Sequence, residues 1–219
     1  MELLTHHRLT SALTNLRSLE RSDALLVAAV ASQATAKLDV LAHVLDAYMV
    51  GGGNGERLYE ALLQTYLFAG FPATIEALRI ASARGIQLPH TRFEPYNVEE
   101  FHTRGRQCFS FVYGELSSRV HSQIESLSQE LAEWILIEGY GKVLSRPSPL
   151  GILDRERLAI AALAAGGWQR QLRAHLRAFA QLGGSPDDAF DTLSIAATLG
   201  SNYQPIESEQ LIDYAWQSS

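Results

Sequence analysis

Leu172-Arg173-Ala174-His175-Leu176-Arg177-Ala178-Phe179-Ala180-Gln181-Leu182-Gly183-Gly184 has an earlier counterpart in Val40-Leu41-Ala42-His43-Val44-Leu45-Asp46-Ala47-Tyr48-Met49-Val50-Gly51-Gly52. In each, an Ala-His pair is followed eight residues on by Gly-Gly. An apolar run precedes each His, Leu25 to Ala31 in the first copy and Leu158 to Ala165 in the second. Each run sits behind an arginine, Arg21 or Arg155, and an acidic helix start and an apolar helix follow each glycine pair, closing at Gly70 or Gly200. Self-similarity of this kind decides the fold before any local reading does. It predicts two similar helical units that pack their apolar faces together, with a His near the same point of each.

Outward from these stretches the periodicity is helical throughout. Leu9, Leu13 and Leu16 predict a short amphipathic helix over 8–19. Residues 22–49 are too long for one helix, with a break expected near Ser32 to Thr35. Glu56 to Phe68 reads as a helix stopped at Gly70, and Pro72 suits the first turn of the next. Residues 85–97, with Pro89 and Pro95, read as the connection between the copies. This divides the chain into 1–97 and 98–219. In the second part, Glu99 to Phe111 is expected to be helical. Leu116 to Ile137 is expected to be one strong helix, with Leu116, Val120, Ile124, Leu127, Leu131, Trp134 and Ile135 on one face. Asp154 is expected to cap the buried helix that ends near Ala165. Ser185-Pro186-Asp187-Asp188 combines a Ser cap, a first-turn proline and acids at the positive end of the helix dipole. Alternating strand patterns are nearly absent, so the fold class is all-α.

Composition narrows the function classes. The 219 residues are 47% hydrophobic and 19% charged, with a net charge of −6. That balance argues against nucleic acid as a partner, which would need a basic face. No run approaches the length of a membrane span, and Met1 to Thr10 has no signal-peptide core. One cysteine, Cys108, excludes an intrachain disulfide and fits a reducing compartment. The expectation is a cytoplasmic protein. No HExxH motif or Cys/His cluster suggests a metal, and Gly51 to Gly55 lacks the residues of a phosphate loop.

Gly139-Tyr140-Gly141-Lys142-Val143-Leu144-Ser145-Arg146-Pro147, followed by Leu153-Asp154-Arg155-Glu156-Arg157-Leu158 and Leu172-Arg173-Ala174-His175, resembles the carboxymuconolactone decarboxylase family. In the first copy, Glu60-Ala61-Leu62-Leu63-Gln64-Thr65-Tyr66-Leu67-Phe68-Ala69-Gly70-Phe71-Pro72 is similar to another helix of that family. The resemblance implies two tandem helical repeats of the alkylhydroperoxidase D-like type, no cofactor, a small-molecule substrate and a homo-oligomer. The peroxidase branch of the family uses a CxxC before the His and a Glu on the preceding helix. Around His175 the matching positions hold Trp168, Gln171 and Glu156; around His43 they hold Ala36, Asp39 and Ala24. Both thiols are missing from both copies. A thiolate must attack the peroxide and a second thiol must resolve the product, so thiol peroxidase chemistry is disfavoured.

The Glu–His pair remains in the second copy. Glu156 and His175 are the catalytic candidates, since a carboxylate can orient an imidazole and tune it for proton transfer near neutral pH. Decarboxylation of a lactone acid needs such a proton. Counting back and forward from the turn at Gly166-Gly167 puts the two side chains level with each other across an antiparallel helix pair, lining the main pocket. Gln171, Trp168, His43, Glu60 and Gln64 are the substrate-binding candidates. The copies have either divided one composite site between them or lost parts of two. Two classes stay open: an acid/base lyase on a small lactone or carboxylic acid, and a non-catalytic helical binding or assembly protein of the same fold.

Overall fold

The stretch from Ala24 to Ala34 has no charge, glycine or proline, and the stretch from Leu158 to Ala165 is equally plain. Such segments are apolar on every face, so they are stable as helices only when other helices surround them. In a computed structural model that describes residues 2–88, 95–200 and 205–217, and side chains from 6 onward except 205–207, both become central helices. The elements are α1 (Glu2–Thr14), α2 (Arg21–Ala34), α3 (Leu38–Val50), α4 (Gly55–Gln64), α5 (Tyr66–Ala83) and α6 (Val98–Tyr113). After a 3-10 turn at Gly114–Leu116 come α7 (Ser117–Glu125), α8 (Gln129–Trp134) and a π-helical segment at Ile135–Leu144. The chain continues with α9 (Ile152–Gly166), α10 (Gln169–Gln181), α11 (Pro186–Leu199) and α12 (Pro205–Gln217). Among the described residues there is no strand, and no helix is long and apolar enough to cross a membrane.

Two compact units form, one from Met1–Pro89 with Leu153–Ser219, the other from His90–Ile152. These differ from the sequential parts 1–97 and 98–219. The long apolar helices of both copies bury each other in one core, while the segment between them closes on itself.

In the first unit α2 is buried from Ala24 to Gln33 and packs against α3, α4, α5 and α11. Gln33 is fully buried and donates to Leu62 O at 3.0 Å and Thr74 Oγ1 at 2.8 Å. One side chain thereby ties α2 to α4 and α5. Within α5, Gly70 takes φ 81°, ψ 169°, which breaks the helix just before Pro72. Asp191 of α11, 2% exposed, accepts the backbone N–H groups of Arg17, Ser18 and Leu19 at 2.8–3.0 Å. That carboxylate ends α1 at Thr14, short of the expected Leu19, because the donors turn towards it instead of continuing the helix. Beyond α11, α12 adds a helix not read from the sequence, burying Leu211, Ile212 and Ala215.

The helix–turn–helix geometry does occur twice, but in a different register from the one suggested by the Ala-His pairs. Ala36 (φ 53°) and Gly167 (φ 77°) turn the chain after α2 and α9. The following amides make the same bond, Lys37 N to Ser32 O and Trp168 N to Leu163 O, both 2.9 Å. At the ends of α3 and α10, Gly52 (φ 78°) and Gly183 (φ 86°) are the left-handed residues. Gly53 N then donates to Tyr48 O and Gly184 N to Phe179 O, again both at 2.9 Å. Asn54 and Ser185 cap the next helices. The first copy has three glycines where the second has two, and the turn uses the second and third. His175 is therefore equivalent to Val44, not to His43, and Glu156 is equivalent to Leu25.

In the second unit α6 lies against the π-helical segment. A Cβ on Gly105 would collide with Leu136 O, and one on Gly141 with Phe101 O. Only a missing side chain permits that backbone approach. Arg104 Nε donates to Gly141 O at 2.8 Å and Ser145 Oγ at 2.9 Å across the same seam. The expected helix Leu116 to Ile137 is not continuous. Ser128 Oγ accepts Leu131 N at 3.1 Å and starts α8 anew, since a serine side chain competes with the helical backbone for such donors. Of the residues expected on one face, Leu127, Leu131 and Trp134 are exposed, and Leu116, Val120, Ile124 and Ile135 are half-buried.

Gly141→Ala is expected to destabilise the protein by about 1–3 kcal/mol, the usual range for forcing atoms into a filled site. Thermal unfolding followed by circular dichroism would register it, and an unchanged midpoint would show that the seam can open without cost.

Candidate functional site

The helix α9 begins Ile152-Leu153-Asp154-Arg155-Glu156-Arg157. Arg155 and Glu156 are 0% exposed and Arg157 is 8% exposed. Charged side chains are almost never buried without partners. Consecutive residues on a helix point about 100° apart, so three in a row must find three separate partners.

Arg155 reaches α4. Its guanidinium donates to Glu60 Oε2 at 2.9 Å and Gln64 Oε1 at 3.1 Å, and Gln64 Nε2 donates back to Arg155 O at 2.8 Å. Arg157 reaches α11 with a two-pronged contact to Asp188, 2.8 Å from Nε and 2.7 Å from Nη2. It also binds Asp154 at 2.7 Å. Burial works against the Arg157 charge, and the Asp188 and Asp154 carboxylates outweigh it, holding the guanidinium above its ordinary pKa. Asp154 lies inside the first turn rather than capping the helix, shared between Arg157 and Arg57.

Glu156, between the two arginines, reaches α10. Its Oε2 is 2.7 Å from His175 Nδ1. A carboxylate accepts hydrogen bonds, so Nδ1 carries the hydrogen. This leaves Nε2 as the nitrogen able to accept or deliver a further proton. The carboxylate is wholly enclosed, the imidazole is 8% exposed, and the Phe68 ring meets it edge-on at 6.0 Å between centroids. Glu156 Oε1 is buried with no hydrogen-bond partner. The arrangement can hold an imidazole in one orientation with Nε2 as its proton-exchanging nitrogen, a geometry suited to general acid/base chemistry.

The other candidates lie differently. Glu60 and Gln64 are buried and engaged by Arg155, so they fix the position of α9 one residue before Glu156. Gln171 is exposed, as is Trp168, at 57%. His43 is exposed too, with Nδ1 2.8 Å from Asp39 O and its ring edge-on to His6. The one-residue register difference puts it on the outer face of α3 while His175 faces inward. Phe68 was not singled out from the sequence; the Gly70 break that turns α5 was its one signal. The Glu156–His175 pair does not line the cavity of about 200 Å³ found in the second unit.

No family model matches the chain. It is similar to "Peroxisomal protein 2" of Schizosaccharomyces pombe, 29% identical over 205 residues that cover 88% of this chain and 92% of that protein.

Arg155→Met is expected to lower stability by about 3–5 kcal/mol, because it leaves the Glu60 carboxylate buried without its guanidinium. Adding Glu60→Gln should recover a substantial part. Denaturant unfolding of the single and double variants measures this, and equal losses in both would mean the clamp is not electrostatic.

Proposed function

We propose that this chain is a carboxymuconolactone decarboxylase-like protein of the alkylhydroperoxidase D-like fold, acting as a cofactor-independent acid/base lyase on a small lactone or carboxylic acid. The observation that carries the reading is the Glu156–His175 contact at 2.7 Å, with the carboxylate fully buried behind the ring. In such a reaction the bond from the substrate carbon to its carboxylate breaks and carbon dioxide leaves. The electron pair passes into the unsaturated ring, and the proton on His175 Nε2 closes on carbon. Glu156 holds the ring in one orientation before and after transfer.

The non-catalytic alternative draws on one observation: Glu60 and Gln64 are engaged by Arg155, while Gln171 and Trp168 lie exposed. In either case the chain is proposed to work as a homo-oligomer. Val50, Phe71 and Ile75 are exposed apolar side chains of the first unit that a second copy would cover. The name of the relative from Schizosaccharomyces pombe sets a peroxisomal location beside the cytoplasmic one.

Unsaturated lactone acids assayed for carbon dioxide release should give turnover. His175→Ala and Glu156→Gln should each reduce it by about a hundredfold or more, the usual weight of a positioned proton donor. Retained rates in the double variant would overturn the acid/base reading, and no turnover across the substrate panel would favour the binding module. Cys108→Ser should leave any activity unchanged. Dithiol-coupled peroxide turnover lost in that variant would instead point to thiol chemistry.

A further inference from the structure

The cavity of the second unit lies between α6 and α7, well apart in sequence from the Glu–His pair. Its walls come from one face of each helix and from Leu136 of the π-helical segment. Arg106, Phe109 and Ser110 stand at i, i+3 and i+4 on α6. Ser118, His121 and Ser122 repeat that spacing on α7, with Ser117 beside them. Residues so spaced project from the same side of a helix.

The chemistry of this lining is one-sided. Beside Phe109 and Leu136 it holds a guanidinium, an imidazole and four hydroxyls, and among the described residues no carboxylate lines it. His121 Nε2 is shut off from solvent and has no hydrogen-bond partner. That nitrogen is enclosed, so the ring meets the cavity through its other atoms. Phe109, 3% exposed, meets the His121 ring edge-on at 6.3 Å.

We propose that this cavity binds a phosphoryl group, as free phosphate or as the phosphate of a small monoester. Arg106 supplies a planar fork of N–H donors that matches two phosphate oxygens at once. The serine hydroxyls are the donors available to the third. A carboxylate, with two oxygens, would leave several of these donors idle. The Phe109 ring gives an organic substituent an apolar floor, and a volume of about 200 Å³ admits the anion with a small group attached.

The test uses the full chain with inorganic phosphate and phenyl phosphate as probes. Benzoate and sodium chloride at matched ionic strength serve as controls. Titration followed by the His121 imidazole resonances in NMR reports the site directly. Phosphate should shift those resonances saturably and chloride should not. Phenyl phosphate should bind more tightly than phosphate if the apolar floor is used; equal affinity assigns the site to the free anion. Arg106→Ala, at an exposed position, should weaken binding by about tenfold or more, the scale of a charged hydrogen-bond pair. Arg106→Lys should restore only part of that. His121 resonances that stay fixed up to tens of millimolar phosphate would overturn the proposal. So would equal shifts with chloride, tighter binding of benzoate than of phenyl phosphate, or unchanged affinity in Arg106→Ala. His175→Ala should leave phosphate binding intact, which separates this site from the proposed lyase chemistry.

Discussion

Three successive charges at the start of α9, each buried and each held by a different helix, are what the rest of the first unit is arranged around. Arg155 holds α4, Glu156 holds α10 and Arg157 holds α11. A purely apolar helix in that position could rotate or slide by a residue at small cost. A helix carrying three buried ions cannot, because any shift would strand all three charges at once. The central helix is thus fixed in rotation and register by electrostatics, while apolar packing along Leu158 to Ala165 supplies the cohesion.

The same arrangement positions the Glu–His contact. Glu156 is flanked in sequence by two anchored arginines, so its backbone has little freedom to move away from α10. The residues expected to touch substrate in the first copy, Glu60 and Gln64, instead act on α9 through Arg155. Their connection to the pair is mechanical: they set where Glu156 begins.

Much of this could be read from the residues alone. The Glu156–His175 contact followed from counting helical rise on either side of Gly166-Gly167. The start of α11 followed from the Ser185 cap with Pro186 behind it, and the break of α5 followed from Gly70 before Pro72. Other features were hidden for physical reasons. The dipeptide Ala-His occurs twice, yet the backbone aligns on which glycine can adopt positive φ, and the spare glycine among Gly51 to Gly53 moved the register by one. The helical period of Leu127, Leu131 and Trp134 was real, but period alone does not say whether a neighbour exists to bury it. The halting of α1 depends on Asp191, far away in sequence, and no local pattern announces such a long-range acceptor.

That shifted register makes the molecule its own control experiment. Two helix–turn–helix segments with the same turn hydrogen bonds sit in one core: one carries Leu25 and Val44, the other Glu156 and His175. The oily version shows that the scaffold does not need ions at these two positions in order to fold. The stability of the charged pair relative to the apolar one is open to direct measurement. Exchanging the pairs between the halves would convert that comparison into a direct reading of function against robustness.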